Sequence, residues 1–228
     1  MDTRDKTDCS EELVTSEHPY SPVTEAFRSL RTELSFLSPD RPLKSLLITS
    51  SDKGEGKSIV TGNLAVSLAQ NNQKVLLVDA DLRRPVLHRF FNLPNHTGLS
   101  SYLTEDMAWD NIIQETGVGG VTIISSGPIP PNPAELLSSQ KMKDLLHRGE
   151  EEVDMVLIDS PPVVIVSDAV ILSPRVGGVL LVVAARKTAR AKVRAAHDKL
   201  QQVRANVVGS VLNRYPVGKA EYFYEAYF

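Results

Sequence analysis

The chain has 228 residues, 42% of them apolar and 23% charged, with a net charge of −3 and a pI near 6.0. At roughly 150 residues per domain, this describes one large soluble domain and excludes a collagen, a wholly disordered chain and a multipass membrane protein. The longest apolar run, 179–185, falls far short of a bilayer span, the N-terminus lacks a signal-peptide core, the lone Cys9 fits a reducing compartment, and no basic field marks nucleic acid as a partner.

Residues 1–20 are polar and aperiodic, and are expected to form a flexible arm ahead of one folded domain at 21–214. Ala26, Phe27, Leu30, Leu34 and Leu37 recur at helical spacing and predict a helix over 22–37. Six short apolar runs follow, at 45–49, 75–78, 121–124, 155–158, 179–183 and 207–212. Most are apolar throughout rather than alternating, as strands are when a parallel sheet is covered on both faces. Helical patterns lie between several of them, with Val60, Leu64 and Leu68 after the first run and Val193, Ala196, Leu200 and Val203 before the last. Asn132, Pro133 and Glu135 suit a helix cap, first and third position, and one helix is expected from there through Leu136, Leu137, Met142, Leu145 and Leu146. Strands alternating with helices imply right-handed βαβ units and a doubly wound, mostly parallel α/β sheet flanked by helices. The segment 215–228 is expected to be a flexible tail, and Tyr222, Tyr224 and Tyr227 place three of the chain's six tyrosines in its last seven residues.

The first strand runs into Ser50-Ser51-Asp52-Lys53-Gly54-Glu55-Gly56-Lys57-Ser58, and a helical pattern follows. Strand, glycine-rich loop and helix are the context of a P-loop. Gly54 and Gly56 let backbone N–H groups turn inward around phosphate oxygens, and the helix N-terminus adds positive potential. Lys57 would reach the β- and γ-phosphates, and Ser58 would ligate Mg²⁺. Serine at 51, where the strict pattern has glycine, makes this a deviant Walker A motif. The second strand ends in Asp79-Ala80-Asp81-Leu82-Arg83, and the fourth in Asp159-Ser160-Pro161-Pro162. In a parallel sheet these acids share one edge with Lys57, where ligands bind. Carboxylates buried there call for a cation, which MgATP brings.

These three motifs together resemble the bacterial tyrosine kinases of capsular and exopolysaccharide synthesis, relatives of the MinD and ParA ATPases. The resemblance runs from about Ser21 to the end. It takes in Glu25-Ala26-Phe27-Arg28-Ser29-Leu30-Arg31, similar to that family's oligomerisation motif, the segments 98–103 and 127–137, and the tyrosine-rich end. It implies an ATP- and Mg²⁺-dependent protein-tyrosine autokinase of the deviant Walker A, MinD-like type. Lys57, Asp79 and Asp81 would be catalytic, and Ser58, Asp79 and Asp159 would hold the metal. Ser51, Lys53, Gly54, Glu55, Gly56, Lys57, Ser58, Ile59 and Asn213 would surround the nucleotide. Tyr222, Tyr224 and Tyr227 would accept phosphate in trans within a ring-like homo-oligomer held through Glu25, Arg28 and Arg31. The resemblance further implies the split form of the family, a cytoplasmic chain recruited to the membrane by a separate membrane-spanning activator of the polysaccharide co-polymerase type, and a cognate tyrosine phosphatase.

Read without the resemblance, the Glu25, Arg28 and Arg31 face is a solvated one, and so is the basic group Arg186, Lys187, Arg190, Lys192 and Arg194. That basic group has a second reading as a contact to a partner or to anionic lipid. Five histidines without i, i+4 pairs give no transition-metal site. Three functions share this fold: an autokinase, a MinD- or ParA-like ATPase switch, and a non-catalytic nucleotide-dependent scaffold. The switch lacks its signature lysine, which would fall at Asp52, and leaves the tyrosines without a task.

Overall fold

The computed structural model describes residues 13–37 and 42–215. Its seven strands are β1 (Ser45–Ser50), β2 (Val75–Asp79), β3 (Ile113–Glu115), β4 (Val121–Ile124), β5 (Met155–Asp159), β6 (Gly178–Ala184) and β7 (Val207–Asn213). They form one sheet in the order β3-β4-β2-β5-β1-β6-β7. All neighbours pair in parallel except β3, which runs antiparallel to β4. The six apolar runs are the six parallel strands. β3 escapes the apolar-run criterion because it is a three-residue edge, IQE, with no fully buried side chain.

Alternation along the strands divides the core into two layers. Leu46, Ile48, Leu77, Leu157 and Val182 point to one face, where helices α1 (Val14–Glu17), α2 (Pro22–Phe36), α3 (Lys57–Ala69) and α4 (Leu87–Phe90) pack. Leu47, Leu76, Val78, Val156 and Leu181 point to the other. That face is covered by α5 (Leu99–Thr104), α6 (Pro133–Ser138), α7 (Gln140–Glu152), α8 (Asp168–Leu172) and α9 (Arg190–Gln202). Burial on both faces is why the strands read as continuous apolar runs.

Two expectations are revised. The expected arm gives way at Leu13: α1 docks on α3, with Leu13 and Thr15 buried. Apart from Leu13, its anchors are polar, which hid them from a hydrophobic-pattern reading. Thr15 N–H donates to Asn63 Oδ1 at 2.9 Å, and Gln70 Nε2 donates to the Thr15 carbonyl at 3.1 Å. The single helix expected from Pro133 is two helices. Ser139 is extended, and its Oγ accepts the Met142 N–H at 3.2 Å as the N-cap of α7. Arg175 gathers the carbonyls of Leu137, Ser138 and Ser139 that the break leaves open. Asn132 makes no side-chain cap; its amide donates to Glu135 Oε2 at 2.6 Å.

Candidate active site

β1 lies between β5 and β6, so its carboxyl end, the acidic ends of β2 and β5 and the end of β7 face one edge of the sheet. The P-loop leaves β1 and enters α3 through Gly56, whose φ of 88° is left-handed. A Cβ at Gly56 would sit 2.1 Å from Asn213 Nδ2, so glycine is required twice over, by backbone and by neighbour. Asn213, expected at the nucleotide base, holds the loop itself: its Nδ2 donates to the Glu55 carbonyl at 2.8 Å.

Glu55 is 2% exposed. It was expected to face nucleotide; its carboxylate instead braces the loop from behind. Oε2 accepts from Ser51 Oγ at 2.9 Å and the Asp52 N–H at 2.7 Å. Oε1 accepts from the Ala184 N–H at 3.2 Å and from the Thr188 hydroxyl. Asp52 pairs with Lys192 of the basic group, and this pairing lowers the Asp52 pKa. Ser51 is thus part of the brace, while Lys53, Gly54 and Ile59 line the cleft.

At the cleft floor Lys57 Nζ lies 3.0 Å from Asp81 Oδ2 and 3.4 Å from Asp159 Oδ2. Ser58 Oγ donates to the same Asp159 oxygen at 2.5 Å. Burial works against the Lys57 charge, but Asp159 and then Asp81 outweigh it and hold the ammonium above the ordinary lysine range. Asp159 is fully buried, and burial raises its pKa against the pull of Lys57 and Ser58. Its Oδ1 has no hydrogen-bond partner among the described residues. Asp79 faces Asp159 across the β2–β5 pairing, and burial, then that neighbouring charge, push it well above the usual carboxylate range.

Asp79 and Asp81, both expected to be catalytic, are placed differently. Asp79 is 0% exposed, and its oxygens accept the N–H groups of Asp81 and Leu87 at 3.2 and 3.3 Å. Asp81 lines the cleft and touches Lys57. Arg83 turns away and grips buried Asp168 of α8 in a two-pronged bond of 2.8 and 3.0 Å.

The donor set suits a hard divalent cation. Among the described residues no group of three or more His, Cys, Asp or Glu side chains is placed to hold a metal. One or two carboxylates and a hydroxyl, completed by phosphate oxygens, is the manner in which Mg²⁺ binds with a nucleotide.

The cleft measures about 500 Å³, and Arg84, Val86, Arg89, Phe90, Pro162 and Arg214 complete its lining. Pro162 belongs to the Asp-Ser-Pro-Pro run, but the others were not among the expected site residues, although Arg84 directly follows the Asp-x-Asp-x-Arg run. The proposed oligomerisation trio is divided. Glu25 and Arg28 pair with each other at 3.1 Å on the surface of α2, whereas Arg31 donates to the Ser67 carbonyl of α3 at 2.6 Å. Tyr222, Tyr224 and Tyr227 lie outside the described residues.

A glycine loop turned into a helix N-terminus, with acids from two neighbouring strand ends beneath its lysine, defines a P-loop NTPase of the ParA type. A ParA family model, described as NUBPL iron-transfer P-loop NTPase, matches residues 43–217. The tyrosine-protein kinase YwqD of Bacillus subtilis (strain 168) is 40% identical over 213 residues, covering 93% of this chain and 90% of that one. Tyrosine-protein kinase etk of Escherichia coli (strain K12) is 38% identical over 197 residues, 86% of this chain but 27% of that longer one. The solved chimerical protein CapA2B2 superposes with a TM-score of 0.87 at 39% identity, covering 91% of each chain. The chain belongs to the bacterial tyrosine kinases of capsular and exopolysaccharide synthesis.

Proposed function

We propose that the chain transfers the γ-phosphoryl group of ATP to Tyr222, Tyr224 and Tyr227 of a neighbouring copy, and that this controls polysaccharide assembly. The observation that carries the reading is the Lys57 bridge between Asp81 and Asp159. Triphosphate oxygens compete for the lysine. As Lys57 turns to the β- and γ-phosphates, the Asp81 carboxylate is released toward the cleft, where it orients the tyrosine hydroxyl and takes its proton. Ser58 and Asp159, with its unpartnered oxygen, would hold Mg²⁺. That ion supplies charge neutralisation on the phosphates, the main catalytic demand of phosphoryl transfer. Asp79 acts through the backbone, fixing the turn that presents Asp81.

In this reading Glu25 and Arg28 serve the subunit contact. A membrane-spanning activator recruits the chain to the inner face of the plasma membrane, and a tyrosine phosphatase resets it. Among the described residues no helix is long and apolar enough to cross a membrane. A mixing experiment tests transfer between subunits. A Lys57→Met chain with its tyrosines is combined with an active chain carrying Tyr222→Phe, Tyr224→Phe and Tyr227→Phe. Phosphotyrosine on the Lys57→Met chain is the expected result. An unlabelled mixture, while the intact chain labels itself at a concentration-independent rate, would refute delivery in trans.

A further inference from the structure

The segment from β2 through α4 carries three arginines with different fates. Arg83 is consumed by Asp168. Arg84 and Arg89 are exposed and line the cleft, and their guanidinium groups have no ion pair or hydrogen bond among the described residues. Their backbone is nevertheless tied to the acids of the site. Arg84 N–H donates to Asp81 Oδ1 at 3.0 Å, and the Leu87 N–H, in the same short helix as Arg89, donates to Asp79 Oδ2 at 3.3 Å. Leu87 and Phe90 are buried, so the helix that carries Arg89 is anchored on both sides. Two unpaired cations are thereby held in the cleft that Asp81 lines.

The chain supplies complementary charge. Glu221 directly precedes Tyr222, and Glu225 directly follows Tyr224 and lies two residues before Tyr227. Each acceptor tyrosine therefore has a glutamate within three positions. A guanidinium offers paired donors to a carboxylate, which makes arginine suited to such a reading. We propose that Arg84 and Arg89 form a subsite for acidic side chains flanking the acceptor tyrosine. The segment 221–228 of a second copy is its first occupant, and other substrates are tyrosines bordered by glutamate or aspartate. This rests on the tyrosine-transfer reading above and names the substrate class of that site.

The test separates binding from transfer. A fluorescent peptide of residues 216–228 is titrated into the full chain carrying Tyr222→Phe, Tyr224→Phe and Tyr227→Phe, and its phosphorylation is followed in parallel. The two charge contacts are expected to make the parent peptide bind about tenfold tighter than one with Glu221→Gln and Glu225→Gln, with the preference shrinking as salt rises. Arg84→Glu with Arg89→Glu should reverse it, so that a peptide with Glu221→Lys and Glu225→Lys binds better than the parent. Such a reversal cannot arise from misfolding or from a damaged nucleotide site. Equal binding of all peptides overturns the subsite even where every peptide is phosphorylated. Selective, reversible binding without any transfer keeps the subsite and overturns the kinase reading. If the double variant loses nucleotide affinity as strongly as peptide affinity and shows no reversal, the arginines are phosphate ligands and the proposal fails.

Discussion

The two walls of the cleft are built on opposite principles. On the P-loop wall, Glu55 takes four donors, Lys192 pairs with Asp52, and Asn213 closes on the loop backbone. On the wall after β2, the backbone is anchored but Arg84 and Arg89 are left unpaired. A wall that meets the same triphosphate at every turnover gains from having its dipoles fixed beforehand. A wall that meets different protein segments gains from charges that remain available. On the proposed reading, the difference separates nucleotide recognition from acceptor recognition within one small space.

The comparison can be broken most severely at Lys57. Lys57→Met should reduce phosphorylation by about a hundredfold or more, since it removes the charge aimed at the transferring group. Circular dichroism should report an intact fold, and the phosphotyrosine assay should report the loss. Next in size is Glu55→Ala, which strands buried donors on the braced wall. It should lower stability by about 2–3 kcal/mol in denaturant titration and raise KM for ATP more than it lowers kcat. Arg31→Ala removes a charged hydrogen bond between α2 and α3 and should cost about 1–2 kcal/mol. Arg28→Ala, which breaks only a half-exposed pair, should leave monomer stability nearly unchanged while weakening assembly measured by light scattering. Lys192→Ala should have the smallest effect, with no measurable change in Tm, because its pair with Asp52 is exposed. A large loss there would mean that the basic group braces the loop as firmly as Glu55.

The parallel strands, the P-loop and the three strand-end aspartates were legible because each is a local pattern. Apolar runs mark strands covered on both sides, and glycines before Lys57-Ser58 mark a phosphate loop. What escaped depends on distant partners. Nothing near Glu55 reveals that it binds Ala184 and Thr188, about 130 residues away. Asp79 and Asp81 look equivalent in sequence, and only the Leu87 N–H on one and the Lys57 ammonium on the other separate the fully buried acid from the one that lines the cleft. Arg31 looked like part of a charged face because helical spacing reports which residues are neighbours, not which carbonyl a long side chain reaches. The break at Ser139 was missed because apolar spacing continues across it while the backbone does not.

The position of β1 in the sheet has a consequence for exchange with solvent. It is hydrogen-bonded to β5 on one side and β6 on the other, and all six of its residues are buried. Amides in such a strand become accessible only when most of the domain opens, whereas those at a sheet margin exchange through fraying. Deuterium should therefore enter β3 and β7 first and β1 last, as β1 and the root of the P-loop open only with the domain as a whole. Nucleotide binding raises the free energy of global unfolding, so it should slow exchange in β1 as well as at the loop, while leaving the fraying margins β3 and β7 nearly unchanged.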